Sequence, residues 1–247
     1  MTDPATIPPP PPKPEGPGLI EDLVDIFASP ARVFARRATS GGGLAFVVVA
    51  VLLAVVIYAS KGVMEPIMEA QMSKAMAAAQ ASNPNLTSEQ LQAGMAFQRK
   101  LFPVFLVAGA PIAILGLGLI VWVAGKGFGA AVTFGSSVMI ASFAYVPRVI
   151  GGVATLAQGV LMKDVGTLTN PAQLSLSPAR FFDPATTGGV LLALLTRFDI
   201  ITIWVTVLIG VGLMAAGKLP KGKAAAAAIT VWVLGAIFPV WGAIRGG

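Results

Sequence analysis

Cysteine and histidine are both absent from this 247-residue sequence, and charge is scarce. Without cysteine there is no disulfide framework and no thiolate metal site. Without histidine the chain lacks the side chain most often used as general base, pH switch and metal ligand. Only 11% of residues are charged, against about 25% in a soluble domain. That shortage excludes an ordinary soluble core if the apolar residues gather into long runs, and they do. Net charge is +6, with an isoelectric point near 9.9. A nucleic-acid partner would need a basic stripe on a soluble face, whereas these lysines and arginines are scattered between apolar runs. On a membrane protein the same charge predicts loops drawn to anionic lipid heads.

What is present is apolar: 55% of residues, with a mean hydropathy of +0.81. The apolar residues fall into five runs, at 42–60, 101–124, 130–150, 199–216 and 224–244. Each reaches, or nearly reaches, the ~20 residues that cross ~30 Å of hydrocarbon as a helix. The expected fold is an all-α integral membrane protein, with about five transmembrane helices in a bundle spanning residues 41–247. Two shorter apolar stretches, 149–162 and 188–197, adjoin the third and fourth runs. They read as interfacial segments, re-entrant segments or extensions of those spans.

Residues 1–17 contain an unbroken proline run, Pro8 to Pro12. Such a run favours extended polyproline II and builds no core. It reads as a disordered tail, with a docking peptide for a proline-reading partner as the alternative. Residues 18–40 are amphipathic. Leu19, Ile20, Leu23, Val24 and Phe27 recur at helical spacing with Glu21, Asp22 and Asp25 between them. Ser29-Pro30 opens a second helix, in which Val33 and Phe34 would face lipid while Arg32, Arg36 and Arg37 sit at head-group level. This segment is expected either to lie in the membrane interface or to pack on the protein itself. Leu23, Val24, Phe27, Arg36 and Arg37 are its candidate contacts with a partner or a membrane surface.

Between the first two spans, residues 61–100 predict a helical hairpin standing off the membrane. Met64, Met68, Met72 and Met76 fall four apart on one helix face. Pro66 predicts a kink near the start of that helix. Thr87, with Gln90 three residues on, forms a capping box for the returning helix. Thioethers suit Cu(I), but no histidine or cysteine joins the stripe, and methionine is a flexible apolar filler. The four methionines are therefore expected to pack against Leu91, Met95 and Phe97. No metal, cofactor or catalytic residue is expected anywhere in the chain.

Ionisable residues within spans are the usual flag for transport. Here they are Arg148, Arg197 and Asp199, and Thr133, Ser137 and Thr155 share roughly one helix face with Arg148. With the third span entering near Ala130, a rise of about 1.5 Å per residue puts Arg148 roughly 27 Å up. That is the level at which the fourth span begins, so Arg148 and Asp199 are expected to form a structural ion pair near the interface. A mid-bilayer position would instead favour a substrate or ion path. Gly127, Ala131 and Gly135, and Gly210, Gly212 and Gly217, predict close helix contacts.

Several stretches carry a resemblance. Ile26-Phe27-Ala28-Ser29-Pro30 precedes the first span, and Asn85-Leu86-Thr87-Ser88-Glu89-Gln90 starts the returning hairpin helix. Thr133-Phe134-Gly135 opens the third span and Ala144-Tyr145-Val146-Pro147 follows in its second half. Phe198-Asp199-Ile200-Ile201-Thr202-Ile203-Trp204 opens the fourth. In order and spacing these resemble the prokaryotic branch of the Yip (Ypt-interacting protein) domain family. The resemblance implies a five-span integral membrane protein. Eukaryotic relatives bind prenylated Rab-type GTPases and act in vesicle traffic and organelle shape. Their aspartate-leucine-tyrosine-glycine-proline element corresponds here to Asp25-Ile26-Phe27-Ala28-Ser29-Pro30, which lacks the tyrosine and glycine and has an extra residue. Small-GTPase binding is therefore not carried over onto these positions.

The functional expectation is a non-catalytic scaffold or adaptor in membrane organisation or trafficking-like processes. Its partners would be the lipid bilayer and other membrane proteins or a second copy of the chain. A subunit of a transporter or channel is the alternative. Arg32, Arg36 and Arg37 flank the first span, Lys126 lies in one short turn, and Lys218, Lys221 and Lys223 crowd another. Short basic loops stay inside, so the expected location is the cell (inner) membrane with a cytoplasmic N-terminus.

Overall fold

A computed structural model describes residues 18–40, 42–83, 87–162, 168, 170–184 and 186–246. The reading of the proline-rich tail at residues 1–17 lies outside them. The chain folds as α1 (Leu19–Ala28), α2 (Pro30–Ser40), α3 (Gly43–Ala59), α4 (Lys61–Ser82), α5 (Ser88–Gly127), α6 (Phe134–Ala144) and α7 (Val146–Leu161). Two 3-10 turns follow, Pro171–Leu174 and Pro178–Phe181, then α8 (Gly189–Arg197), α9 (Ile200–Ala215), α10 (Lys221–Leu234) and α11 (Ile237–Gly246).

Among the described residues three helical stretches are long and apolar enough to cross a membrane: Val107–Gly127 in α5, Phe134–Leu161 through α6 and α7, and Lys221–Arg245 through α10 and α11. The first and fourth expected spans are the two that fall short. α3 has 17 residues and α9 has 16, about 25 Å and 24 Å of helix against ~30 Å of hydrocarbon. Each qualifies only together with a bent neighbour, α4 at 69° and α8 at 52°. The number of spans is thus three, or up to five if each bent pair is one span. Residues 149–161 extend the third helix, because Pro147 sits in the first turn of α7, where a missing N–H costs no hydrogen bond. Residues 189–197 form the bent-off α8, which lies along α11.

α3 shows why the bundle needs lipid. Leu44, Val47, Val51, Val55 and Tyr58 are exposed, while Ala45, Val49 and Ala50 are buried against neighbouring helices. An exposed apolar strip of this kind would be an interaction surface in water. The core centres on α6, where Met139, Ile140, Phe143 and Ala144 are fully or almost fully buried. Glycine lets helices approach closely there. A Cβ on Gly212 would lie 2.7 Å from Ile140, and one on Gly152 would lie 2.4 Å from Val56. Gly127, chosen by its spacing, meets nothing.

The N-terminal helices pack on the protein. Val33 and Phe34, expected to face lipid, are 0% exposed, as is Ile26. Phe34 packs edge-on against Phe143 at 6.3 Å, and Phe27 against Trp204 at 5.1 Å. The bend between α3 and α4 falls at Ser60, whose hydroxyl donates to the Val56 carbonyl at 2.8 Å, and α4 runs on through Pro66. Met64 and Val63 pack with Ile67 against Leu168 and Leu174. Phe97 is 64% exposed, and the side chains of Leu91 and Met95 lie outside those described. Thr87 and Gln90 form the expected reciprocal cap at 3.1 and 3.2 Å.

Candidate functional site

The charged residues of the bundle meet at its middle. Arg148 stands fourteen residues after Phe134 and thirteen before Leu161, the ends of the third candidate span. The expected span ends near residue 150, whereas the helix continues eleven residues beyond it, which puts Arg148 at the middle of the helical stretch. Arg197 closes α8, and its Nη2 donates to the Trp232 carbonyl at 2.7 Å. Trp232 Nε1 donates back to the Arg197 carbonyl at 3.1 Å, and the guanidinium lies over the indole at 5.5 Å. Trp232 is itself eleven residues from Lys221 and thirteen from Arg245. Arg197 is therefore tied to the centre of the last candidate span.

Asp199 is the N-cap of α9. One carboxylate oxygen accepts the N–H groups of Ile201 and Thr202 at 2.9 and 3.2 Å, and the other accepts Leu176 N–H at 3.0 Å. An acidic cap is favoured by the orphan N–H groups and by the dipole at a helix start. Arg148 and Asp199 do share a wall, in a cavity of about 440 Å³ that also takes in Thr155, Ser175 and Thr196. The expected ion pair is not formed there: among the described residues neither partner makes one. The carboxylate is instead occupied by three backbone donors at the bend.

A second cavity, of about 280 Å³, shares Arg148 and Thr202 with the first. Its lining includes Arg148, Arg197, Tyr145, Thr202, Thr206 and Trp232 together with apolar Leu117, Ile120, Ile209 and Val231. Arg148 lies over the Tyr145 ring at 5.0 Å. The Nε atoms of both arginines are buried without a hydrogen bond. Sequence reasoning noted Arg197 but did not join it to Arg148. The missed signals are the i, i+3 spacing of Tyr145 and Arg148 on one helix face, and Arg197 lying two residues before Asp199 at a bend.

The N-terminal candidates separate into two groups. Arg36 pairs with Asp22 and, at 3.2 Å, with Asp25, and Arg37 pairs with Asp22. Asp22 is 0% exposed, so these arginines bind α2 to α1. Leu23 and Phe27 pack against the core. Val24 faces outward, 66% exposed, next to Ile20, four residues earlier on the same helix face and 80% exposed. At one end of the bundle Ala131 N–H donates to the Gly217 carbonyl at 2.9 Å. This joins the α5–α6 turn to the α9–α10 turn and gathers exposed Lys126, Lys218, Lys221 and Lys223. Among the described residues no three His, Cys, Asp or Glu side chains gather as a metal site would require.

Residues 24–242 match the family model described as Yip1 domain. Neither a curated protein nor a solved structure matches the chain.

Proposed function

The chain belongs to the Yip1 domain family, and from that premise we propose that it is a non-catalytic scaffold or adaptor in membrane organisation. The observation that carries this reading is the N-terminal helix pair. Buried Asp22 holds α1 and α2 in one fixed shape, and that shape turns Ile20 and Val24 outward. A rigid apolar ridge suits association with another membrane protein or a second copy, since less conformational freedom is lost on binding. The absence of histidine and cysteine from the sequence supports a role without bond chemistry. The gathered lysines of the two short turns support a cytoplasmic placement of that end and of the N-terminus, in the cell (inner) membrane. The degraded GTPase-binding element keeps small GTPases out of this proposal.

Replacing Ile20 and Val24 together by serine tests it. Thermal unfolding should stay unchanged, because both side chains are exposed, while co-purification of membrane partners should be lost. Partners retained at wild-type level would overturn the reading.

A second reading, a subunit of a transporter or channel, is favoured by the central position of Arg148 and Arg197, where charge is expensive and usually functional. Purified protein in liposomes separates the two. Solute flux above that of empty liposomes, abolished by Arg148→Gln, would replace the scaffold reading. No flux is expected.

A further inference from the structure

We propose that the cavity between Arg148 and Arg197 binds a phosphate-type oxyanion. This goes beyond the scaffold reading and does not depend on it. Two guanidinium groups reach one cavity of about 280 Å³ at the centre of the candidate spans. Among the described residues no carboxylate lines it, and neither arginine makes an ion pair. Asp199, which lines the larger cavity with Arg148, has both carboxylate oxygens engaged by backbone N–H groups. The lining of this cavity thus holds two positive charges and no carboxylate, in a part of the bundle where an unpaired charge costs several kcal/mol.

The arginines are held in place without being neutralised. Arg197 is fixed by the reciprocal hydrogen bonds with Trp232, and Arg148 by its stack on Tyr145. Each stacking partner leaves N–H donors available, and the Nε atoms of both are buried and unbonded. The guanidinium fork matches the geometry of phosphate oxygens and binds them in pairs. The cavity has the volume of several waters, at ~30 Å³ each, enough for a tetrahedral oxyanion but not for a whole lipid. Either a free oxyanion fills it, or a lipid phosphate enters with its acyl chains left outside. Both share the same recognition chemistry.

The test uses full-length protein in neutral detergent, with Arg148→Gln, Arg197→Gln and, as a control outside the cavity, Arg245→Gln. Inorganic phosphate is titrated against the melting temperature, and native mass spectrometry reads retained phospholipid before and after extensive delipidation. A saturable rise in melting temperature with phosphate supports a free oxyanion. Retained anionic phospholipid with no response to phosphate supports a lipid phosphate. In either case each cavity variant should weaken binding about tenfold or more, as loss of a charge-assisted hydrogen bond does, and Arg245→Gln should not. Should both variants fail to fold, the wild-type titration and lipid content still decide. Wild-type protein that neither responds to phosphate nor retains anionic lipid, or cavity variants that bind as wild type does, would overturn the proposal.

Discussion

Two arginine pairs in this protein meet opposite fates. Arg36 and Arg37, six to eight residues from Ser29-Pro30, close on Asp22 and Asp25 across the α1–α2 turn. Arg148 and Arg197, from α7 and α8, reach one cavity and find aromatic rings and a backbone carbonyl but no carboxylate. The first pair is compensated and holds two helices together. The second is uncompensated among the described residues, and a fold does not gather uncompensated charge at its centre for stability alone. The contrast separates charge that builds the structure from charge that the structure holds ready for something else.

The largest expected effect breaks the compensated side. Asp22→Ala removes the buried carboxylate that Arg36 and Arg37 share, while Arg36 keeps Asp25; removing one member of a buried pair costs up to about 3–5 kcal/mol. We expect a lower melting temperature and new trypsin cleavage within α1–α2; an unchanged melting temperature would show that Asp22 does not hold them. A smaller effect separates packing from charge. Gly212→Val pushes a side chain into Ile140, where even a Cβ would lie at 2.7 Å. Overpacking of this kind costs about 1–3 kcal/mol, read as a lower melting temperature with cavity binding retained.

How far each pair was legible in the sequence differs in the same way. The helical periodicity, the Thr87 cap and the membrane class are local properties, and they read directly from residue order. The Asp22–Arg36 pair spans fourteen residues, and the spacing alone leaves open whether the segment lies in the membrane interface or packs on the protein. The apolar face of Ile26, Val33 and Phe34 has the same pattern whether it meets lipid or Phe143. The central pair needed tertiary information. Arg148 and Arg197 are joined only once α10 brings Trp232 beside α8 and the bend at Phe198–Asp199 turns α8 from α9. The number of spans is less legible for a related reason: an apolar run shows where a helix could cross, but not that Ser60 or Asp199 marks a bend. Asp199 itself was recognised as important, but its partners are the N–H groups of a helix start and of Leu176, which no charge pattern reveals.

The smallest expected effect lies outside both pairs. Replacing Met64, Met68, Met72 and Met76 together by leucine should cost less than about 1.5 kcal/mol per site. Folding and any bound oxyanion should be unaffected; loss of bound copper together with loss of function would assign the stripe a metal.

The most direct test of the contrast is the melting temperature of Arg148→Met beside that of Asp22→Ala, both delipidated and in phosphate-free buffer. Methionine keeps an unbranched side chain of similar length and removes the charge. If Arg148 is uncompensated, Arg148→Met should melt at or above the wild-type temperature, while Asp22→Ala melts well below it. A fall for Arg148→Met as large as that for Asp22→Ala would show that the central arginine is a structural partner and would contradict the account.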